Sequence, residues 1–205
     1  TRPTHRLQDL AQRRIAIEGI EPRVECGRFA AKAVAGWPLE VSADIVGDGH
    51  ETLGAALIGP DGAEHPMAKG ANDRWSGRIA FDPAGAATFV VAAWRDVWAT
   101  WAQDTRKKFD AGQDISVELL EARQIVEATK APRGEARALT TVRTAVKKGD
   151  VAAILGPETQ QVMGRLGPRA NLTRSDGLPV WVDRELAAFS AWYELFPRSM
   201  GPDSK

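Results

Sequence analysis

Cysteine occurs once in this chain, tyrosine once and histidine three times, so several kinds of chemistry are short of material from the outset. Cys26 alone cannot close an intrachain disulfide, and a reducing cytoplasm is the expected home. His5, His50 and His65 stand far apart, show no i, i+4 pairing and have no cysteine companions, which argues against a zinc site. Charge of one sign is also lacking. The 27 basic residues balance 27 acidic ones, which leaves no electrostatic footprint for nucleic acid or an anionic membrane. No apolar run reaches the length of a signal peptide or a membrane span. The G-x-S-x-G elbow, the phosphate-binding loop ending in Lys-Ser/Thr and the dinucleotide fingerprint are all missing, and neither a cofactor nor a metal is expected.

What is present suits a packed domain. Of 205 residues, 43% are hydrophobic, enough for a real core in one or two domains. Residues 1–14 are polar and basic and read as a leader without function. From Ile15 short extended pieces form around Gly19 and Pro22. Leu39, Val41, Ala43 and Ile45 then alternate with polar residues, the pattern of a half-buried strand. Leu53–Ile58 is the next strand, closed by the turn-forming Gly59-Pro-Asp-Gly62. Trp75, Ile79 and Phe81 share one face of another. Thr88–Trp94 and Val97–Ala102 read as two more, joined across Arg95-Asp96. Six or seven strands at this spacing predict an immunoglobulin-like β-sandwich.

At Asp104 the period changes. Ile115, Leu119, Ala122 and Val126 follow helical spacing behind Asp114 as N-cap. Leu139, Val142 and Val146 mark a second helix, ending on Lys147, Lys148 and Gly149. Asp150 starts a third, and Pro157 occupies the first turn of a short one holding Val162, Met163 and Leu166. Val180 and Val182 resume strand alternation, so the fold class is α+β, with an α-helical subdomain inserted in the sandwich. Helices expected at 114–131, 134–148 and 157–166 carry apolar stripes with few places to bury them. A second copy of the chain is the natural cover, with Ile115, Leu119, Val126, Leu139 and Val142 as candidate dimer contacts, and folding back on the sandwich is the alternative.

Candidate chemistry is thin. Cys26 beside Gly27 and Arg28 has no nearby histidine to activate it, and a buried structural cysteine is the expectation. Retaining glycosidic chemistry needs two carboxylates about 5 Å apart, normally presented by barrel strand ends, and those strands are absent. Glu194 is expected to anchor rather than to catalyse. Seven tryptophans invite a sugar-stacking reading for Trp94, Trp98 and Trp101, which compete as core or interface residues.

Particular stretches carry a resemblance: Val24-Glu-Cys-Gly-Arg-Phe-Ala-Ala-Lys32, Asn72-Asp-Arg-Trp75, Trp98-Ala-Thr-Trp101, Ala111-Gly-Gln-Asp114, Pro179-Val-Trp-Val-Asp-Arg184 and Trp192-Tyr-Glu-Leu-Phe-Pro-Arg-Ser199. Together they resemble the amino-terminal region of the bacterial alpha-1,4-glucan:maltose-1-phosphate maltosyltransferases, of the alpha-amylase-like glycoside hydrolase family 13. The resemblance implies a parent enzyme that moves maltosyl units from alpha-maltose 1-phosphate to an alpha-1,4-glucan, with retention and no metal. It implies a homodimer joined through the helices. No catalytic residue is carried over to this chain, because the matching motifs would lie beyond Lys205. The expected organisation is a leader at 1–14, sandwich at 15–103, helical insertion at 104–171, a return to the sandwich at 172–188 and the start of a catalytic barrel at 189–205. An alpha-glucan-binding module is the alternative.

Overall fold

The computed structural model describes residues 14–189 and Glu194. All of the expected leader except Arg14 lies outside these residues, as does the strand read over 189–199 apart from Phe189 and Glu194. In chain order the strands are β1 (Ile15–Glu21), β2 (Ala31–Val34), β3 (Pro38–Gly47), β4 (Leu53–Ile58), β5 (Glu64–Pro66), β6 (Ala68–Lys69), β7 (Arg74–Ala80) and β8 (Gly85–Asp96). Helices α1 (Val97–Asp110), α2 (Ser116–Ala128), α3 (Ala136–Lys148), α4 (Val151–Ile154) and α5 (Pro157–Leu166) follow, then strands β9 (Arg169–Arg174) and β10 (Leu178–Asp183).

Among the described residues the strands form two sheets, ordered β1-β3-β7-β6 and β2-β10-β8-β4-β5, with β9 also paired to β8. Alternation on each strand turns one row of side chains into the space between them. From β3 come Val41, Ala43 and Ile45, none with exposed surface, and they meet Phe89 and Val91 of β8. Burying a ring such as Phe89 contributes about 1.5–3 kcal/mol. β10 lies between β2 and β8, parallel to the first and antiparallel to the second.

Arg74, from the Asn72-Asp-Arg-Trp75 stretch, ties the first sheet together. Asn72 and Asp73 both take positive φ (52° and 57°) in the turn before β7, a left-handed pair that matches the twist of the flanking strands. The turn delivers the Arg74 guanidinium to the irregular part of β1, where it donates to the Gly19 carbonyl at 2.8 Å, to Ser42 Oγ at 2.8 Å and to Glu21 Oε2 at 3.0 Å. Gly19 itself has φ +53°, and a Cβ there would strike the Asp44 carboxylate.

The largest departure from expectation is at Val97–Ala102, which is the start of helix α1 and not a strand. Asp96 accepts a hydrogen bond from the Ala99 amide at 2.8 Å, and Trp98, Trp101, Ala102 and Thr105 are buried at i, i+3, i+4 and i+7. Val, Trp and Thr suit strands, and this local preference concealed a helical period. The helical segment therefore begins at Val97 rather than Asp104, and strand β9 has begun by Arg169. Asp114 lies one residue before the N-cap, Ile115, and accepts the Ser116 amide at 3.0 Å. Gly149 closes α3 at φ +66° and Asp150 caps α4.

With α1 counted as a helix, the apolar stripes have cover. Trp98 and Trp101 pack with Ala122, Val126, Leu139, Val142 and Met163 in a core distinct from the one between the sheets. The two tryptophan rings lie 4.6 Å apart, and Trp101 Nε1 donates to the Glu118 carbonyl at 3.0 Å.

Candidate functional site

Trp94 projects from the outer face of the second sheet, where it packs with Ala56 and Ala92 across from Gly54. The guanidinium of Arg169 lies 3.9 Å above its ring centroid, a cation-π contact on the surface a pyranose would use. Arg169 also holds both oxygens of Glu64, at 2.8 and 2.7 Å. Trp98 and Trp101 lie inside the helical lobe, with 1% and 8% of their surface exposed. None of the three tryptophans presents an open face.

The Arg169 hydrogen bonds hold the Glu64 carboxyl below its usual 4.5, against an opposing push from partial burial. A depressed carboxylate stabilises the fold fully above its unfolded pKa, and that contribution disappears as pH falls through the folded value. Glu64→Gln should therefore lower the melting temperature near neutrality and lose that deficit on the acid side of pH 4.5. Thermal melts of both proteins from about pH 7 to about pH 3 measure the closing gap. A gap that stays constant would rule out this pair as its source.

The residues singled out for a dimer face inward. Val126, Leu139 and Val142 are almost fully buried and Leu119 is half-buried, all in or against the lobe's own core, and Ile115 is buried as well. Exposed large apolar side chains remain at Phe109 on α1 and at Val117 and Leu120 on α2.

Cys26 is exposed, which corrects the expectation of a buried cysteine. Glu25, Cys26 and Gly27 all have positive φ, and this left-handed turn between the paired Val24 and Phe29 turns the thiol outward. His50 is exposed, His65 partly so, and Glu194 exposed. Among the described residues no group of three or more His, Cys, Asp or Glu gathers to hold a metal. Among the same described residues no helix is long and apolar enough to cross a membrane.

An apolar surface does form where β2 and β10 end side by side. Trp37 and Phe189 meet edge to face, 6.4 Å between centroids at 88°. Leu186 stands beside Phe189 in the sequence, and the two are 70% and 69% exposed. Trp181 lies outward on β10, its Nε1 donating to Asp183, which also pairs with Lys32. The signal for Trp181 was present in its alternation with the buried Val180 and Val182. Trp37, isolated between Gly36 and Pro38, offered no such pattern.

These features define a β-rich, two-sheet domain with a helical lobe, whose notable surfaces are apolar faces rather than a gathered set of reactive groups. The family model for alpha-1,4-glucan:maltose-1-phosphate maltosyltransferase, domain N/S, matches residues 13–184, and the chain belongs to that family. The maltosyltransferase of Cereibacter sphaeroides is 40% identical over 95% of this chain, which covers 34% of that relative. The Burkholderia pseudomallei enzyme is 40% identical over 95% of the chain and 18% of its own length. For Myxococcus xanthus the figures are 34% identity, 92% of the chain and 31% of the relative. The chain thus spans about a third or less of the relatives it matches.

Proposed function

We propose that this chain is the non-catalytic amino-terminal part of a maltosyltransferase that extends an alpha-1,4-glucan from alpha-maltose 1-phosphate. It supports the catalytic barrel of the parent enzyme and joins two copies of it, in the cytoplasm and without a metal cofactor. The observation that carries the reading is the family match over residues 13–184, to enzymes roughly three times as long as the part matched. Retaining glycosyl transfer needs a nucleophile and an acid/base held about 5 Å apart, and that pair belongs to the barrel. The packing of the two sheets supports an immunoglobulin-like sandwich.

Assembly falls to the exposed side of α2, where Val117 and Leu120, at i and i+3, lie without cover in one chain. A two-fold axis would set this face against its own copy. An alpha-glucan-binding module is the second reading, and the exposed Trp37 and Trp181 are the tryptophans on which it would rest.

The pure chain, mixed with alpha-maltose 1-phosphate and glycogen, should release no phosphate, whereas the longer polypeptide carrying it should. Turnover by the chain alone would overturn the reading, and so would an inactive longer polypeptide.

A further inference from the structure

We infer that the apolar surface built by Trp37, Phe189 and Leu186 is the seat for the remainder of the same polypeptide. This rests on the reading of the chain as one part of a longer enzyme. Leu186 and Phe189 are the most exposed large apolar side chains among the described residues, at 70% and 69%. They are held in place. The Trp37 amide donates to the Val34 carbonyl at 3.0 Å, the Gly36 amide to Phe81 at 3.0 Å and the Phe189 amide to Leu186 at 3.2 Å. The edge-to-face contact fixes the two rings against each other and leaves their outer sides bare. Large apolar side chains left exposed beside one another on hydrogen-bonded turns mark a contact with another folded surface.

Three occupants compete: the rest of the chain, a second copy and a glucan. The relatives extend over about three times the matched length, so a large folded partner is covalently joined to this domain. The family match ends at residue 184, inside the segment that forms the surface. A partner joined by a short tether is held at about millimolar effective concentration, so even a modest patch is occupied. A glucan needs planar polar side chains beside each ring, whereas Trp37 and Phe189 are accompanied by Leu186. Lys32 and Asp183, 3.3 Å apart, engage each other's charge, and the Asp183 carboxylate also takes the Trp181 Nε1 hydrogen bond, which leaves little free polar chemistry for a sugar there.

Hydroxyl-radical footprinting tests this without any substitution. In the longer polypeptide Trp37 and Phe189 should be labelled at least tenfold more slowly than in the 205-residue chain, while the exposed Leu172 is labelled equally in both. Equal labelling of Trp37 and Phe189 would overturn the inference. The double variant Trp37→Ser, Phe189→Ser of the longer polypeptide should be cut by protease just after residue 189 about tenfold faster, with its sedimenting mass and its affinity for maltopentaose unchanged. A fall in mass with the cleavage rate unchanged would assign the surface to a second copy. A loss of maltopentaose affinity with the cleavage rate unchanged would assign it to a glucan. Protection of the aromatics in an inactive longer polypeptide would defeat the functional reading and leave this one standing.

Discussion

Replacing Val126 by aspartate should melt the helical lobe and leave the two sheets standing. Val126 is 1% exposed within the lobe's core, so the new carboxylate replaces a packed apolar side chain and is largely stripped of water. An uncompensated charge at such a site costs on the order of 3–5 kcal/mol, against about 5–15 kcal/mol for the stability of a whole domain. The lobe has less than a whole domain to draw on. Its core is a separate cluster, anchored to the sandwich by the direct run of β8 into α1 and by the return through β9. Far-ultraviolet circular dichroism should lose most of its helical signal while the sheet contribution persists, and calorimetry should separate two transitions. A single transition in which sheet and helix signals vanish together would refute the independence of the two cores.

On the opposite side of the same helix, Val117→Asp with Leu120→Asp should leave the fold intact and change the assembly. Their side chains are 61% and 58% exposed, so neither aspartate is buried in the single chain, and surface substitutions of this kind usually lie within about 0.5 kcal/mol. In a two-fold contact both residues appear twice, which brings four carboxylates into one apolar interface. Like charges so placed cost several kcal/mol, enough to separate a dimer of micromolar affinity. Sedimentation equilibrium at tens of micromolar should show the mass halve, with circular dichroism unchanged. An unmodified chain already monomeric at that concentration, or a variant that stays dimeric, would remove this face from the assembly. Leu119→Asp, a residue turned partly inward, should instead perturb the lobe in the manner of Val126→Asp.

The contrast between these substitutions shows where sequence reasoning went astray. The apolar spacing from Leu119 to Val126 was legible, and the stripe lies where a helix puts it. Its cover was not legible, because Val97–Ala102 after the short Arg95-Asp96 connection reads as a further strand and not as a helix. Once those residues wind into a helix capped by Asp96, Trp98 and Trp101 become the covering surface. One misassigned element thus left this stripe without its internal cover and made a pair of sheet tryptophans out of helical ones. Cys26 failed for a different reason, since burial of a lone residue in an irregular turn leaves no periodic trace.

Periodicity and capping chemistry are properties of a few consecutive residues, and these the sequence determined unaided. The alternation of Val41, Ala43 and Ile45 defined a strand face, Gly149 and Asp150 set a helix end and the next beginning, and Pro157 opened α5. Tertiary structure alone decided which distant segments meet. Arg169 reaches Glu64 across 105 positions and closes over Trp94, and β10 inserts between β2 and β8. Such pairings depend on chain closure over long loops and on the shape of the whole core, so no local pattern announces them. The exposed surface at Trp37 and Phe189 arises in the same way: two residues 152 positions apart (189 − 37) are brought together by a parallel strand pair.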